Sequence, residues 1–212
     1  VHSLHKAFRD QGFASLRFNF RGAGQSKGEH GFGQSEILDV AAAWEELGLL
    51  IDDPQRAQPR VLGGFSFGSS VGLRFAAGET ECTHRVGIGL PLAPELPGGR
   101  SYAFDFLDDP DPRPLYLLVG DNDEFCPVHL FERLVATQRT MGSNVRAVVV
   151  PEANHFFDAK AMSFDRNSND SLQTSLKDRS PIGDTPRAIS SVESDTLTPE
   201  PSSMHYAGPC RL

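Results

Sequence analysis

Segments with strand character alternate with segments of helical character along residues 1–151, and this order restricts the folds open to the chain. The run PLYLLVG at 114–120 is apolar throughout, as a strand buried on both faces should be. A helix such as 35–50 shows apolar residues on one face instead, with Ser35 as its N-cap. Strands that alternate with helices predict an α/β fold with a mainly parallel sheet and helices on both faces. The predicted strands are 14–20, 60–65, 85–90, 114–120 and 145–151, and the predicted helices are 1–12, 35–50, 67–77 and 127–142.

The composition changes sharply near residue 160. Residues 161–212 contain 10 Ser, 4 Thr and 5 Pro and show little periodicity. Such a segment buries too little apolar surface to offset the entropy lost on ordering. We therefore predict a folded domain over residues 1–160 and a disordered tail over 161–212.

Charge and cysteine content exclude several classes of protein. The net charge of −8, from 20 basic and 28 acidic residues, argues against nucleic-acid binding and against binding to an anionic membrane. No apolar run reaches the roughly 20 residues of a membrane helix. Cys82, Cys126 and Cys210 are odd in number and lack CxxC spacing, which indicates free thiols in a reducing compartment, the cytoplasm. Because the chain opens at Val1 within a helical pattern, we expect N-terminal residues, and any targeting segment, to be missing.

A single serine lies between glycines at the junction of a predicted strand and a predicted helix. The stretch GGFSFGSS (63–70) contains GxSxG, with Gly64 and Gly68 two residues either side of Ser66. In this context the motif predicts a sharp turn that exposes the serine hydroxyl at the carboxyl edge of the sheet. The N–H of Phe67 would then point toward a developing oxyanion. The plainer interpretation is a strand-to-helix turn without chemistry.

A serine nucleophile needs a base and an orienting acid, and both types of residue follow later strands. Asp121, Asp123 and Glu124 come directly after 114–120, and His155 follows 145–151. This order of serine, acid and histidine, each after a strand, is typical of one class of serine hydrolase. Asp121 follows the turn glycine and could serve only the loop itself. The residues alone leave the choice of acid open.

Four stretches together resemble the α/β-hydrolase superfamily, and in particular its small members near the dienelactone hydrolases and serine aminopeptidases. The resemblance covers about residues 1–158 and implies that Gly120 and Asp123 carry the family's G-x-x-D acid pattern. It implies a serine hydrolase that cleaves an ester or amide bond of a small molecule through Ser66, Asp123 and His155, with no cofactor and no metal. It implies nothing about the oligomeric state. The stretches are RFNFRGAGQSKG (17–28), GGFSFGS (63–69), GDNDEFCP (120–127) and ANHFF (153–157).

The sequence departs from the family in two places. Family members carry an earlier HPHP- or HGG-type loop that supplies a second oxyanion N–H, and they usually close with a helix after the histidine segment. Neither feature is recognisable here, so we expect an incomplete chain, in which the loss of one oxyanion donor would lower turnover by about 10²–10³. The alternative is a non-catalytic interaction module with the same fold, or an inactive fragment.

Other motifs favour no competing function. The loop RGAGQSKG (21–28) begins like a nucleotide-binding loop, but Lys27 stands where a third glycine is needed. His2 and His5 could share a metal on a helix, although no third ligand is evident, and no base is placed beside Cys126. The connection 91–113 is too short for a large lid, although YAFDFL (102–107) could form one helical turn over the site. We therefore expect an open, shallow acyl pocket that takes small esters.

Overall fold

The apolar runs of the sequence form a four-stranded, fully parallel sheet. The computed structural model describes residues 1–51 and 59–158, and the predicted tail at 161–212 lies outside these residues. The strands lie side by side in the order β1-β2-β3-β4. In β3 the side chains of Leu115, Leu117 and Val119 are buried on one face, and Tyr116 and Leu118 on the other face are half-buried, which agrees with its continuous apolar sequence. The strands are β1 Val61–Phe65, β2 His84–Ile88, β3 Leu115–Asn122 and β4 Val145–Asn154.

Helices pack on both faces of this sheet. The helices are α1 His2–Asp10, α2 Glu36–Leu50, α3 Phe67–Gly78 and α4 Val128–Thr140, with a 3₁₀ turn at Asp105–Leu107. Leu62 of β1 faces Gly72 of α3, whereas a side chain at the next position, Gly63, would meet Leu4 of α1. Successive strand residues point to opposite faces, so α1 and α3 lie on opposite sides of the sheet. The predicted fold class is confirmed.

The main hydrophobic core lies between the sheet and helices α3 and α4. Phe131 and Val135 of α4 and Leu73 of α3 pack against the buried side chains of β3. Trp44 of α2 packs in a second cluster with Ala76 of α3. These contacts hold the carboxyl ends of the strands at one edge, where the loops carrying the candidate site residues emerge.

A buried ion cluster stabilises the opposite, amino-terminal end of β2 and β3. Arg85 of β2 is fully buried, and its guanidinium lies 2.8 Å from Asp111, which also pairs with Arg113 at 2.6 Å. Burial alone would raise the pKa of Asp111, but hydrogen bonds from Arg113 and the charge of Arg85 lower it overall. Asp111 is therefore the counter-charge that makes a buried arginine tolerable.

Two local predictions from the sequence are wrong. Residues 14–20 form no strand, and their alternating pattern reflects aromatic packing, with Phe18 on Phe20 at 5.2 Å and Phe20 on Phe67 at 5.3 Å. The side chain of Ser35 makes no capping hydrogen bond to α2. The buried Glu36 beside it accepts hydrogen bonds from the preceding loop instead.

Two other expectations concern the end of the last strand and helices that could span a membrane. Strand β4 runs to Asn154, three residues beyond its predicted end, and so reaches His155 directly. Among the described residues, none of the helices is long and apolar enough to cross a bilayer.

Candidate active site

Ser66 lies in a strained turn between β1 and α3. Its backbone has φ 51° and ψ −123°, a conformation that non-glycine residues rarely adopt and that costs about 1–3 kcal/mol. The turn is held by the Ser66 N–H, which donates to the Ile88 carbonyl at 2.8 Å, and by Ser69 Oγ, which donates to the Ser66 carbonyl at 2.6 Å. A side chain at Gly64 would collide with the carbonyl oxygen of Gly68. Gly64 therefore permits the close approach that this turn requires, whereas a side chain at Gly68 would meet only the Phe20 ring, at 3.8 Å.

The Ser66 hydroxyl begins a chain of hydrogen bonds that ends at a buried carboxylate. Ser66 Oγ lies 2.9 Å from His155 Nε2, and His155 Nδ1 lies 2.9 Å from each carboxylate oxygen of Asp123. Since an ionised carboxylate only accepts hydrogen bonds, the imidazole carries its proton on Nδ1. Nε2 is then free to accept the hydrogen bond from Ser66. The arrangement can remove a proton from the serine.

The loop after β3 fixes the orientation of Asp123. Its Oδ1 accepts hydrogen bonds from the backbone N–H groups of Phe125 and Cys126, both at 2.9 Å. The side chain is buried, and so is that of His155. These contacts lock the carboxylate in one rotamer and leave its second oxygen facing the imidazole.

Aromatic rings surround the imidazole of His155. The ring centroids of Phe125, Phe65 and Phe156 lie 4.6, 4.9 and 5.2 Å from it. The backbone after β2 also lies against the imidazole. A side chain at Gly89, where φ is +55°, would lie 3.1 Å from the imidazole Cε1. This packing excludes water from the His155–Asp123 pair and strengthens its electrostatic interaction.

The first turn of α3 offers a hydrogen-bond donor beside Ser66. Within the described residues the Phe67 N–H donates to no protein acceptor, as is usual for the first residues of a helix. The positive end of the helix dipole lies at the same place. An anion that forms next to Ser66 would meet both.

The structure therefore brings Ser66, Asp123 and His155 together and places the Phe67 N–H beside them. It leaves the two competing acids outside this chain of hydrogen bonds: Asp121 and Glu124 are exposed.

Cys126 is buried, and burial, followed by the charge of Asp123, raises the pKa of its thiol to about 12. This thiol is unsuited to act as a nucleophile at neutral pH.

The remaining sequence motifs take no part in the hydrogen-bond chain from Ser66 to Asp123. The loop 21–28 is a turn tied to α2, where Arg21 pairs with Asp39 at 2.7 Å. His5 Nδ1 lies 2.8 Å from Ser15 Oγ, and the part of the chain that the structure describes contains no cluster of metal-ligating side chains. The helical turn expected at 102–107 exists as the 3₁₀ turn, but its Leu107 is buried in the main core.

Sequence reasoning missed two residues that shape the site. Gly89 forms the turn after β2, and Glu36 anchors the loop before α2. The run RVGIGL at 85–90 contained a signal, since a glycine directly after a predicted strand often marks a close approach of the backbone. Glu36 had no such signal, because an acidic residue in the first turn of a helix is common.

Comparisons with known proteins agree with the fold. The chain is 32% identical over 176 residues to an uncharacterized protein of Rickettsia prowazekii, a match that covers 82% of this chain and 71% of that protein. No protein-family model matches the chain.

Solved structures of similar architecture come from several bacteria. A protein of Agrobacterium tumefaciens, of unknown function and assigned to the α/β hydrolases, is similar at 29% identity with a TM-score of 0.71, over 82% of this chain and 76% of that one. An α/β serine hydrolase homologue from Coxiella burnetii matches at 27% identity with a TM-score of 0.61, over 82% and 73%. A Xanthomonas campestris protein, described as an α/β serine hydrolase without a lid, matches at 27% identity with a TM-score of 0.59, over 78% and 67%.

Proposed function

The chain belongs to the α/β-hydrolase superfamily, in one family with the Rickettsia prowazekii protein, and we propose that it is a serine hydrolase. Its substrate is a small molecule with an ester or amide bond, cleaved through an acyl-enzyme on Ser66. The observation that carries the proposal is the hydrogen-bond chain from Ser66 through His155 to Asp123. The strained turn at Ser66 supports it, because strain of this kind concentrates at functional sites.

In the first half of the reaction, Ser66 Oγ attacks the carbonyl carbon while His155 Nε2 takes its proton. Asp123 accepts the Nδ1–H hydrogen bond and stabilises the imidazolium that forms. The carbonyl oxygen becomes an anion and receives a hydrogen bond from the Phe67 N–H. The intermediate then collapses, and His155 returns the proton to the leaving oxygen or nitrogen.

In the second half, water replaces the serine hydroxyl as the attacking group. His155 takes a proton from the water, whose oxygen attacks the acyl carbon. The bond to Ser66 Oγ breaks, and the serine regains its proton from His155. The acid product then leaves, and Ser66 is ready for the next substrate.

A fluorophosphonate probe, which labels activated serines, tests this proposal on the purified chain. We expect covalent labelling of the wild type and none of Ser66→Ala. Ser70→Ala is the matched control, because Ser70 is a buried serine one helical turn further along α3. It should be labelled like the wild type.

The labelling experiment also distinguishes a serine hydrolase from a non-catalytic interaction module. A wild-type chain that is folded by circular dichroism but unlabelled would favour a non-catalytic interaction module. Labelling that persists in Ser66→Ala would place the reactive serine elsewhere and contradict the assignment.

The size of the acyl pocket is a second part of the proposal. The connection between β2 and β3 is too short to form a large lid, and its 3₁₀ turn packs into the core through Leu107. We propose an open site that takes short acyl chains, in keeping with the similar Xanthomonas protein that lacks a lid. Across p-nitrophenyl esters, kcat/KM should fall from acetate and butyrate toward palmitate, and a rise toward palmitate would contradict this.

We also propose that the protein works in a reducing compartment, the cytoplasm. Cys82 and Cys126 are both free and buried, as thiols are in such compartments. Titration of the denatured protein with a thiol reagent, before and after reduction, should count the same number of thiols, and an increase on reduction would contradict this.

A further inference from the structure

Two runs of aromatic rings extend outward from the residues on either side of Ser66. On one side the Phe65 ring packs on Phe156 at 6.3 Å, and on the other the Phe67 ring packs on His30 at 4.9 Å. The His30 ring in turn contacts the Phe32 ring at 5.0 Å. The outermost rings are unusually open to solvent, with 63% of Phe156 and 67% of Phe32 exposed.

Phe32 is held in its exposed position by a dedicated set of hydrogen bonds. The fully buried carboxylate of Glu36 accepts the N–H groups of Gly31 and Gly33, at 2.6 and 2.9 Å, on either side of Phe32. The Phe32 N–H itself donates to His30 Nδ1 at 3.0 Å. The backbone that carries the ring is therefore fixed, although the ring is exposed.

This backbone conformation is unfavourable for phenylalanine. Phe32 has φ +54°, a region that suits glycine or asparagine and that a bulky side chain seldom enters. Glycine at this position would remove both the strain and the exposed apolar ring. Phe32 is strained and exposed, and its ring is connected through the His30 ring to Phe67, the residue next to Ser66. This combination points to a function for the ring rather than to folding.

The position of Phe32 indicates which part of a substrate it would meet. In the proposed mechanism His155 must reach the leaving group, so the leaving group lies on the side of His155 and Phe156. The Phe67 side, with His30 and Phe32, is then left for the acyl group. A side chain at Gly33 would contact the rings of Phe67 and Tyr102 at 3.6 and 3.8 Å, so this loop borders the same aromatic surface.

We propose that Phe32 is a specificity-determining residue that contacts the acyl group of the substrate and favours esters of aromatic acids. Glu36 is the positioning residue that holds it there. Flat apolar groups suit this surface because aromatic pairs gain from edge-to-face and offset contacts beyond the area that they bury. The inference rests on the proposed function of Ser66 and adds the class of acyl group to it.

Methyl phenylacetate and methyl propanoate, which share a leaving group, test the proposal when their hydrolysis is followed in a pH-stat. In Phe32→Gly we expect kcat/KM for the phenylacetate to fall about 3- to 10-fold, the factor that one aromatic pair contributes, mainly through KM. The propanoate should change less than about twofold, because it makes no contact that the ring alone provides. The melting temperature should stay equal or rise, since glycine relieves the strain.

Two further variants separate this role from a structural one. Leu49→Ala removes another exposed apolar side chain, 81% exposed near the end of α2, and should leave the ratio of the two esters unchanged. Glu36→Gln keeps every ring but replaces the acceptor of one loop N–H by a donor, so it should lower the preference for the phenylacetate. An effect of that kind on KM would not arise from a loss of folded protein, which lowers the apparent kcat for both esters.

The outcomes also distinguish the inference from the proposed function. If the fluorophosphonate labels Ser66 but Phe32→Gly keeps the wild-type ester ratio, the inference is overturned and the hydrolase remains. If Phe32→Gly melts several degrees lower and loses both activities equally, Phe32 is structural and the inference is again overturned. A folded wild type without labelling would overturn both.

Discussion

The substitution Asp123→Asn tests the candidate triad most directly, because it changes one atom and leaves the loop in place. Oδ1 of Asp123 accepts the N–H groups of Phe125 and Cys126, so the amide oxygen of asparagine must take that position. The amide NH₂ then faces His155 Nδ1, 2.9 Å away, where a carboxylate oxygen lies now. His155 would have to accept that hydrogen bond and move its proton to Nε2.

With its proton on Nε2, His155 can no longer take the proton of Ser66. The equivalent substitution in a Ser-His-Asp enzyme lowers kcat by about 10⁴, and we expect a loss of this order here, equal to about 5.5 kcal/mol of transition-state stabilisation. Hydrolysis of p-nitrophenyl acetate at pH 7.5 measures the loss, and circular dichroism shows that the variant is folded. Both backbone hydrogen bonds to residue 123 are retained, so its melting temperature should change little.

Asp121→Asn and Glu124→Gln are matched controls, because each removes one carboxylate charge from the same loop. Both side chains are exposed, and we expect each variant to keep activity within about threefold of the wild type, since exposed charges interact weakly. A loss below tenfold in Asp123→Asn, or an equal loss in Asp121→Asn, would refute the assignment of Asp123 as the orienting acid.

Two further predictions concern stability. Asp111→Asn leaves the buried Arg85 without its counter-charge and should lower the free energy of unfolding by about 3–5 kcal/mol in urea titrations, a cost that an unchanged midpoint would rule out. The pKa of Cys126 is raised by burial from 9.0 to about 12, so the protonated thiol contributes stability that is fully present below pH 9 and is lost as the pH rises through 12. Between pH 8 and pH 10.5 the urea midpoint of the wild type should therefore fall further than that of Cys126→Ala, and parallel curves would contradict this reasoning.

Much of the fold could be predicted from the sequence because burial leaves a direct trace in it. The strand at Leu115–Asn122 is buried on one face and half-buried on the other up to Gly120, and that part of its sequence is apolar. The helix Glu36–Leu50 shows one apolar face instead. The alternating pattern at 14–20 was misleading because it comes from aromatic packing. Phe18 packs on Phe20, and Phe20 packs on Phe67. Period two predicts which side chains share a surface, and it does not prove that the backbone is paired in a sheet.

Without the family resemblance, the candidate site was predictable only to the level of its loops. The order of elements indicated that Ser66, one acid after β3 and His155 would meet at one edge of the sheet. The resemblance alone selected Asp123 among the three acids, because the choice depends physically on the loop, in which Asp123 turns inward and its neighbours turn to solvent. The part played by Glu36 could not be predicted, because its partners are backbone N–H groups that precede it in an irregular loop.

The connection between β2 and β3 contains a site where the fold should tolerate insertions. Ser66, Asp123 and His155 follow β1, β3 and β4, whereas the segment after β2 brings the turn at Gly89 to His155 and the Tyr102 ring to Phe67. Within that segment Leu96 and Arg100 close a small antiparallel bridge, and a side chain at Gly99 would meet nothing within 4 Å. Because closing a longer loop costs little additional entropy, foreign peptides inserted at this tip should leave the scaffold intact. The tip near Gly99 is therefore a suitable position for inserting a lid segment, a peptide tag or a second binding domain.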